Sequence, residues 1–189
     1  MNRPAMVDFL LMKNFFIKKG MYFNMANVFD NIVGTKHAVC ESSLLKATGC
    51  GHIFSLKCHE NLDNGSIVSV GDWVEAQVFK SKAYAEGEHP VLILTTPIGY
   101  NSDRRSHQDE CYFYNAKNEI ARGYELYEGD IFTVSEDMFS GDPAVGKFIN
   151  ATYTVAEMAG GSGFVGEIVE KVNYTNSVSY RVCVRSIGM

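Results

Sequence analysis

The chain has 189 residues, of which 46% are hydrophobic and 21% are charged, so it can bury a core and lacks the composition of a disordered chain. The formal net charge of −5 argues against a nucleic-acid partner, because phosphates require a basic surface. The five cysteines, Cys40, Cys50, Cys58, Cys111 and Cys183, are odd in number, which favours reduced thiols over a disulfide framework.

Residues 1–24 differ in composition from the rest of the chain. They hold four of the eight methionines and two apolar patches, Phe9–Met12 and Phe15–Ile17, which are too short to span a bilayer. No small-residue cleavage site follows these patches, so a signal peptide fits poorly. Three interpretations stay open: a segment packed on the domain, an arm that docks on a neighbouring subunit, or an upstream extension with Met21 or Met25 as the natural start.

From residue 25 onward, short runs of β-branched and aromatic residues are separated by Gly, Asn and Asp. This pattern is typical of β-strands joined by turns, and we predict an all-β fold, an antiparallel sandwich or barrel of roughly ten short strands with an N-terminal arm. The main predicted strands are His52–Lys57, Ile67–Val70, Trp73–Phe79, Pro90–Thr96, Cys111–Tyr114, Ile120–Leu126, Ile131–Val134, Val145–Ile149, Ala151–Val155, Phe164–Val172 and Val178–Val184.

The turn residues predict how these strands connect. Asn64-Gly65 predicts a type I′ hairpin, because both residues accept positive φ, and Gly71-Asp72 predicts a second turn. The three strands between 111 and 134 read as a β-meander, and the last two predicted strands as a closing hairpin. We therefore predict an arm or extension at 1–24 and a β domain at 25–189. The alternative is two small β modules that divide near 100–110, a stretch whose most polar part reads as a solvated loop.

A Cys/His-rich segment is the only candidate metal site. Thiolates and imidazoles are ligands that zinc prefers, and Cys50, His52, Cys58 and His59 lie within ten residues. The spacing differs from that of common structural zinc sites, and adjacent Cys58 and His59 would lie on opposite faces of a strand. We therefore predict buried thiols and surface histidines, with no metal and no cofactor.

Searches for two further motifs identify no cofactor-binding or catalytic site. Gly161–Gly166 matches G-x-G-x-x-G, but strands rather than a helix follow it, and no acidic residue occurs after Glu170, so we reject a dinucleotide site. No G-x-S-x-G motif is present, and no catalytic pair can be named. We expect a protein that is not an enzyme, with no catalytic or cofactor-binding residues.

A resemblance rests on three segments of the central block, residues 109–115, 120–126 and 129–134. In their order of turns and strands these segments resemble a family of tailed-bacteriophage virion proteins, similar to capsid decoration (cement) or head-fibre proteins. Segments near residues 25–37, 62–68 and 145–148 follow the same pattern, so the resemblance covers residues 25–187. Residues 1–24 and the Cys/His-rich segment depart from it.

The resemblance implies a virion protein that binds the outer surface of the capsid and stabilises or decorates it. Its partners would be the major capsid protein and further copies of itself, without nucleic acid or membrane. It would be made in the host bacterial cytoplasm and located on the capsid surface. The alternative is a carbohydrate- or receptor-binding β module of a phage fibre or spike, in which aromatic side chains stack on sugars. The aromatic residues that would stack on sugars are Trp73, Tyr112, Tyr114, Tyr124 and Tyr127. The competing interpretation, from the alternation of residues along the strands, is that these side chains lie in a core or an interface.

Overall fold

The computed structural model describes residues 36–97, 110–175 and 177–188, and within these ranges the fold is all-β, as predicted. The residues from 36 onward belong to one compact unit. No helix in these ranges is long and apolar enough to cross a membrane. The strands are β1 (Cys40–Leu44), β2 (Ile53–Lys57), β3 (Ile67–Glu75), β4 (Val78–Ala83), β5 (Val91–Ile93), β6 (Ile120–Glu125), β7 (Ile131–Ser135), β8 (Phe148–Ile149), β9 (Val155–Ala156), β10 (Val165–Tyr174) and β11 (Ser177–Ser186), with 3-10 turns at Lys46–Thr48, Glu110–Tyr112 and Glu136–Met138.

The predicted arm at 1–24 and most of the polar stretch at 101–110 lie outside the described residues. The chain on either side of that stretch contributes to the same structure. Strands β2 to β5 precede it and β6 follows it, yet these five strands form one closed barrel in the order β2-β4-β3-β5-β6.

The other six strands form an open sheet in the order β1-β7-β11-β10-β8-β9. All of its pairs are antiparallel, and the longest is the β10–β11 hairpin, which confirms the predicted closing hairpin. The barrel contains one parallel pair, β2 with β4, and its remaining pairs are antiparallel. The prediction of a sandwich or barrel therefore holds, with a barrel and a sheet side by side in one unit.

Two hydrophobic cores hold the barrel and the sheet together. The inward side chains of the barrel form one core: Leu56, Cys58, Leu62, Val68, Val91, Ile93 and Ala121. The second core combines outward barrel residues such as Ile67 and Leu92 with sheet residues such as Phe132 and Val182. Successive residues of a strand point to opposite faces, so β3 and β5 supply both cores at once.

The hairpin predicted at Asn64-Gly65 is wrong. Gly65 does adopt a positive φ of 98°, as a turn residue would, but β2 and β3 do not pair with each other. Strand β4 lies between them in the barrel. A turn is present, closed by the Ser66 N–H donating to Asp63 O at 3.1 Å, but Asn64 lacks the positive φ that a type I′ turn requires. The strand pairing was decided by strands farther along the chain.

The turn predicted at Gly71-Asp72 is also wrong. Strand β3 continues through both residues, with a register irregularity between Val70 and Trp73. The chain reverses instead at Ala76-Gln77, where both residues have positive φ, 36° and 69°. Positive φ at both central residues is the type I′ geometry, here without the usual Gly or Asn, so composition gave no signal for it.

The predicted meander between 111 and 134 is replaced by a crossover. The segment predicted as a strand at Cys111–Tyr114 contains a 3-10 turn, Glu110–Tyr112, instead. Strands β6 and β7 do exist, but they do not pair: β6 belongs to the barrel and β7 to the sheet. The turn at residues 127–130 therefore carries the chain from one half of the domain to the other.

Gly123 in β6 provides a test of how tightly the barrel is packed. A Cβ atom at this position would lie 2.7 Å from both Leu56 Cδ1 and Val91 Cγ1. We expect Gly123→Ala to lower the free energy of unfolding by about 1–3 kcal/mol, because the extra methyl group overfills the core. Urea denaturation followed by circular dichroism measures this change.

Gly49→Ala is the matched control. Its φ is −107°, and an added Cβ would have Lys46 O at 3.9 Å as its nearest neighbour. We expect a change within about 0.5 kcal/mol. Equal denaturation midpoints for the two variants would contradict tight packing at β6.

Candidate functional site

The structure does not bring the candidate zinc ligands together. Cys50 and His52 precede β2, whereas Cys58 and His59 follow it, so the length of the strand, roughly 13 Å, separates the two pairs. Cys58 is buried in the barrel core, and burial raises the pKa of its thiol to about 11. Among the described residues, no group of three or more His, Cys, Asp or Glu side chains is arranged to hold a metal ion.

His59 forms contacts that resemble part of a catalytic triad. Its Nδ1 lies 2.8 Å from Ser81 Oγ, and its Nε2 lies 3.3 Å from Glu60 Oε1. Ser81 is completely buried, however, and its Oγ also accepts the backbone N–H of His59 at 3.0 Å. A buried hydroxyl that fixes the adjacent backbone is not accessible to a substrate, so we assign Ser81 a structural role.

A carboxylate cluster, defined as Glu125, His52, His89 and Tyr127, lies at one end of the barrel. Glu125 is the last residue of β6, and it faces inward like Gly123 and Ala121, two and four residues before it. Strand β6 pairs with β2 on one edge and with β5 on the other. His52 immediately precedes β2 and His89 lies two residues before β5, so the two histidines approach Glu125 from the two neighbouring strands.

Both oxygens of Glu125 have close partners. His52 Nδ1 lies 2.9 Å from Oε2, Tyr127 donates its O–H to Oε2 at 2.5 Å, and His89 Nδ1 lies 3.2 Å from Oε1. Burial by itself would raise the pKa of Glu125, but the hydrogen bonds from Tyr127 and His52 and the nearby charges of His89 and His52 outweigh it, so the pKa is lowered. The same Glu125 contact raises the pKa of Tyr127 to about 12.

These contacts fix the orientation of the imidazole rings. An ionised carboxylate only accepts hydrogen bonds, so the Nδ1 atoms of His52 and His89, which face Glu125, are the donors of these contacts. In each ring the Nε2 atom lies on the side away from Glu125. The side chains of His52 and His89 are 75% and 50% exposed, whereas that of Glu125 is only 8% exposed.

The turn after β6 holds Tyr127 in place. The backbone N–H groups of Tyr127 and Lys46 both donate to the buried Asp130 carboxylate at 2.9 Å. Lys46 Nζ also lies 4.4 Å from the centre of the Tyr127 ring, within the range of a cation–π contact. Tyr127 therefore reaches Glu125 from a backbone that is itself constrained.

An aromatic strip, defined as Trp73, Phe79, Phe54 and His52, extends from the cluster. The ring centres of Trp73 and Phe79 are 5.2 Å apart, and those of Phe79 and Phe54 are 5.9 Å apart, both with edge-to-face geometry. The centres of Phe54 and His52 are 6.0 Å apart. Trp73 is 60% exposed although it packs against Phe79, so a large aromatic surface is both supported and open to solvent.

Of the aromatic residues predicted to stack on sugars, only Trp73 lies in this strip. Tyr114 stacks on His37 at 4.6 Å, and Tyr124 packs against the core between barrel and sheet. Tyr112 ends a 3-10 turn. Tyr127 belongs to the carboxylate cluster instead. The sequence reasoning missed Glu125 and His89, although the small inward residues Ala121 and Gly123 gave a signal that Glu125 also faces inward.

The lowered pKa of Glu125 predicts a pH-dependent contribution to stability. Its stabilising effect is present above the ordinary value of 4.5 and is lost as the pH falls through the lower folded-state pKa. We expect Glu125→Gln to lower the free energy of unfolding by about 1–3 kcal/mol at pH 7, because hydrogen bonds to a charged group are lost. Urea denaturation at pH 7 and pH 3.5 should show this difference shrinking in acid.

Glu128→Gln, which changes an exposed carboxylate on the following turn, is the control and should show almost no difference at either pH. A Glu125→Gln effect of the same size at both pH values would show that the charge of Glu125 does not contribute.

Comparison with known proteins assigns no family to the chain. No protein-family model, no curated protein and no solved structure matches it. The contacts described above are therefore what bears on its function.

Proposed function

We propose that this chain is a non-enzymatic virion protein that attaches to the outer surface of a bacteriophage capsid and stabilises or decorates it. Its partner is the major capsid protein, and several copies act together. Two features support the proposal: the residue pattern of the central block, and an exposed apolar surface at one edge of a rigid β scaffold. The second is the observation that carries it, since an attachment protein needs such a surface.

This surface, the edge patch, consists of Val145 and Met158. Strand β8 pairs with β9 so that Phe148 lies opposite Ala156, and the ion pair of Lys147 Nζ with Glu157 Oε1, at 3.2 Å, continues this register. Extending this register by one residue directs Met158 towards the turn at 144–147 that contains Val145. Met158 is 78% exposed and Val145 is 59% exposed.

The position of the edge patch suits attachment. In the described part of the chain, β9 is the last strand of the six-stranded sheet, and its outer side carries only the isolated bridge of Ser140 with Thr154, so a partner can approach from that side without displacing another strand. Methionine adapts its shape to a facing surface, which suits Met158 to a protein–protein contact. The surrounding Lys147–Glu157 pair would supply a polar rim to such a contact.

Attachment explains how a small protein would stabilise a shell. A ligand that binds only the assembled form shifts the equilibrium towards that form by mass action. Many copies, each with a modest interface, would then resist the loss of capsomers. This role requires a stiff scaffold and a binding surface, and it requires no reactive side chain.

Co-sedimentation with undecorated capsids from the same source tests the proposal. We expect the chain to bind at a fixed ratio to the major capsid protein. Met158→Glu should lower the affinity at least about tenfold, because a charge would be desolvated at the centre of the contact. Absence of binding to well-formed capsids would reject the proposed function.

Leu44→Glu is the matched control. Leu44 is 63% exposed and lies on β1, at the opposite edge of the same sheet. We expect it to bind capsids like the unchanged chain. Equal losses for both variants would instead indicate a general effect of added negative charge, and the edge patch would then not be the attachment surface.

A further inference from the structure

The end of the barrel combines an aromatic surface with a polar one. The aromatic strip offers an exposed apolar ring, Trp73, which packs on Phe79, and Phe79 packs on Phe54. The carboxylate cluster offers two oriented imidazoles. His52 belongs to both groups, so the apolar and polar surfaces are continuous.

The polar side of this region offers two imidazole nitrogens for hydrogen bonding. Because Glu125 holds the Nδ1 sides of His52 and His89, their Nε2 atoms face away from the carboxylate. Within the described part of the chain, neither Nε2 atom has a hydrogen-bond partner, and both rings are at least half exposed. A ligand that fits must therefore bring groups that hydrogen-bond an imidazole nitrogen, and a hydroxyl group does so both as donor and as acceptor.

The exposed carboxylates near Trp73 disfavour ligands with negative groups. Asp72 and Glu75 are exposed in β3, one residue before and two residues after Trp73. They would repel phosphates and nucleic acids. The same two carboxylates can accept hydrogen bonds from a neutral, hydroxyl-rich ligand.

A metal ion is a poorer candidate for the same place. Glu125 lies on the Nδ1 side of both rings, so it cannot act as a third ligand beside two Nε2 atoms. The described residues contain no other set of three ligands. Glu125 holds the two histidines as a carboxylate holds a metal-binding histidine in known sites, but the set of metal ligands itself is incomplete.

We propose that the barrel end binds a neutral saccharide. The apolar face of one sugar ring stacks on Trp73, and hydroxyl groups of the same or a neighbouring sugar unit form hydrogen bonds with Nε2 of His52 and His89. This site shares no residue with the edge patch, so it extends the proposed function without depending on it. A capsid-bound copy could then hold a glycan while the edge patch is occupied.

The chain carries its own reporter for the test, since Trp73 is its only tryptophan. The probes are neutral oligosaccharides of glucose, galactose, mannose and N-acetylglucosamine, first on a glycan array and then in solution. For at least one of them we expect a saturable change in tryptophan fluorescence at pH 7.5. Absence of any array signal and of any fluorescence change at millimolar sugar would reject the proposal.

Variants assign the binding to this site, with calorimetry as the readout where the tryptophan is removed. We expect Trp73→Ala to abolish binding and Trp73→Phe to retain part of it, because a ring still stacks. His52→Ala should weaken binding about tenfold through the loss of a hydrogen bond. Undiminished binding by Trp73→Ala, or binding of phosphorylated glycans only, would overturn the inference.

Ile120→Ala is the matched control for these variants. Ile120 is 60% exposed, like Trp73, but it begins β6 at the opposite end of the barrel from Glu125. Circular dichroism verifies that each variant is folded. A loss of sugar binding in Ile120→Ala equal to that in Trp73→Ala would also count against the site.

Discussion

The hydrogen bonding of β6 along both of its edges is the constraint on which the rest of the fold depends. Its pairing with β2 and with β5 closes the barrel, and Gly123 at its centre leaves room for the side chains of Leu56 and Val91. The same double pairing brings His52 and His89 to the two sides of Glu125. The strand pairing that closes the barrel core therefore also assembles the candidate site.

The barrel packs stably against the sheet because its strand β5 is apolar on both faces. Val91, Leu92 and Ile93 are all completely buried, Val91 and Ile93 towards the barrel interior and Leu92 towards the sheet. This explains why β5 reads as a continuous apolar run rather than as an alternating one. Where a polar group enters this core it is satisfied: Tyr153 donates its hydroxyl to Gly65 O at 2.6 Å.

Composition predicted most of the strands, because β-branched and aromatic runs favour extended backbone wherever the strand is finally placed. It missed β1 and predicted a strand at Cys111–Tyr114, where the chain forms a 3-10 turn. It could not predict their partners. The parallel β2–β4 pair and the separation of β6 from β7 depend on contacts between distant segments, while local turn signals at Asn64-Gly65 and Gly71-Asp72 suggested neighbours that do not pair.

The candidate site was unpredictable for the same reason. Glu125 and His52 are 73 residues apart, and no spacing rule connects them. The sequence identified Trp73 as an aromatic residue able to stack on a ligand. Its packing on Phe79, which in turn packs on Phe54, follows from the order of strands in the barrel. The burial of Glu125 could be inferred only once β6 was recognised as a strand with Ala121 and Gly123 on its inner face.

The order of the strands has a consequence for how the chain folds during synthesis. Strand β2 is synthesised long before its partner β6. The interval between β1 and its partner β7 is longer still, since a contact beside this pair, Val39 with Ser135, spans 96 residues. Closing such long loops makes folding slow, on the order of milliseconds to seconds for β topologies of this kind. In that interval β1 and β2 carry unpaired edges, which can pair with other chains. A protein needed in many copies would thus meet its greatest risk of aggregation before its last third is made.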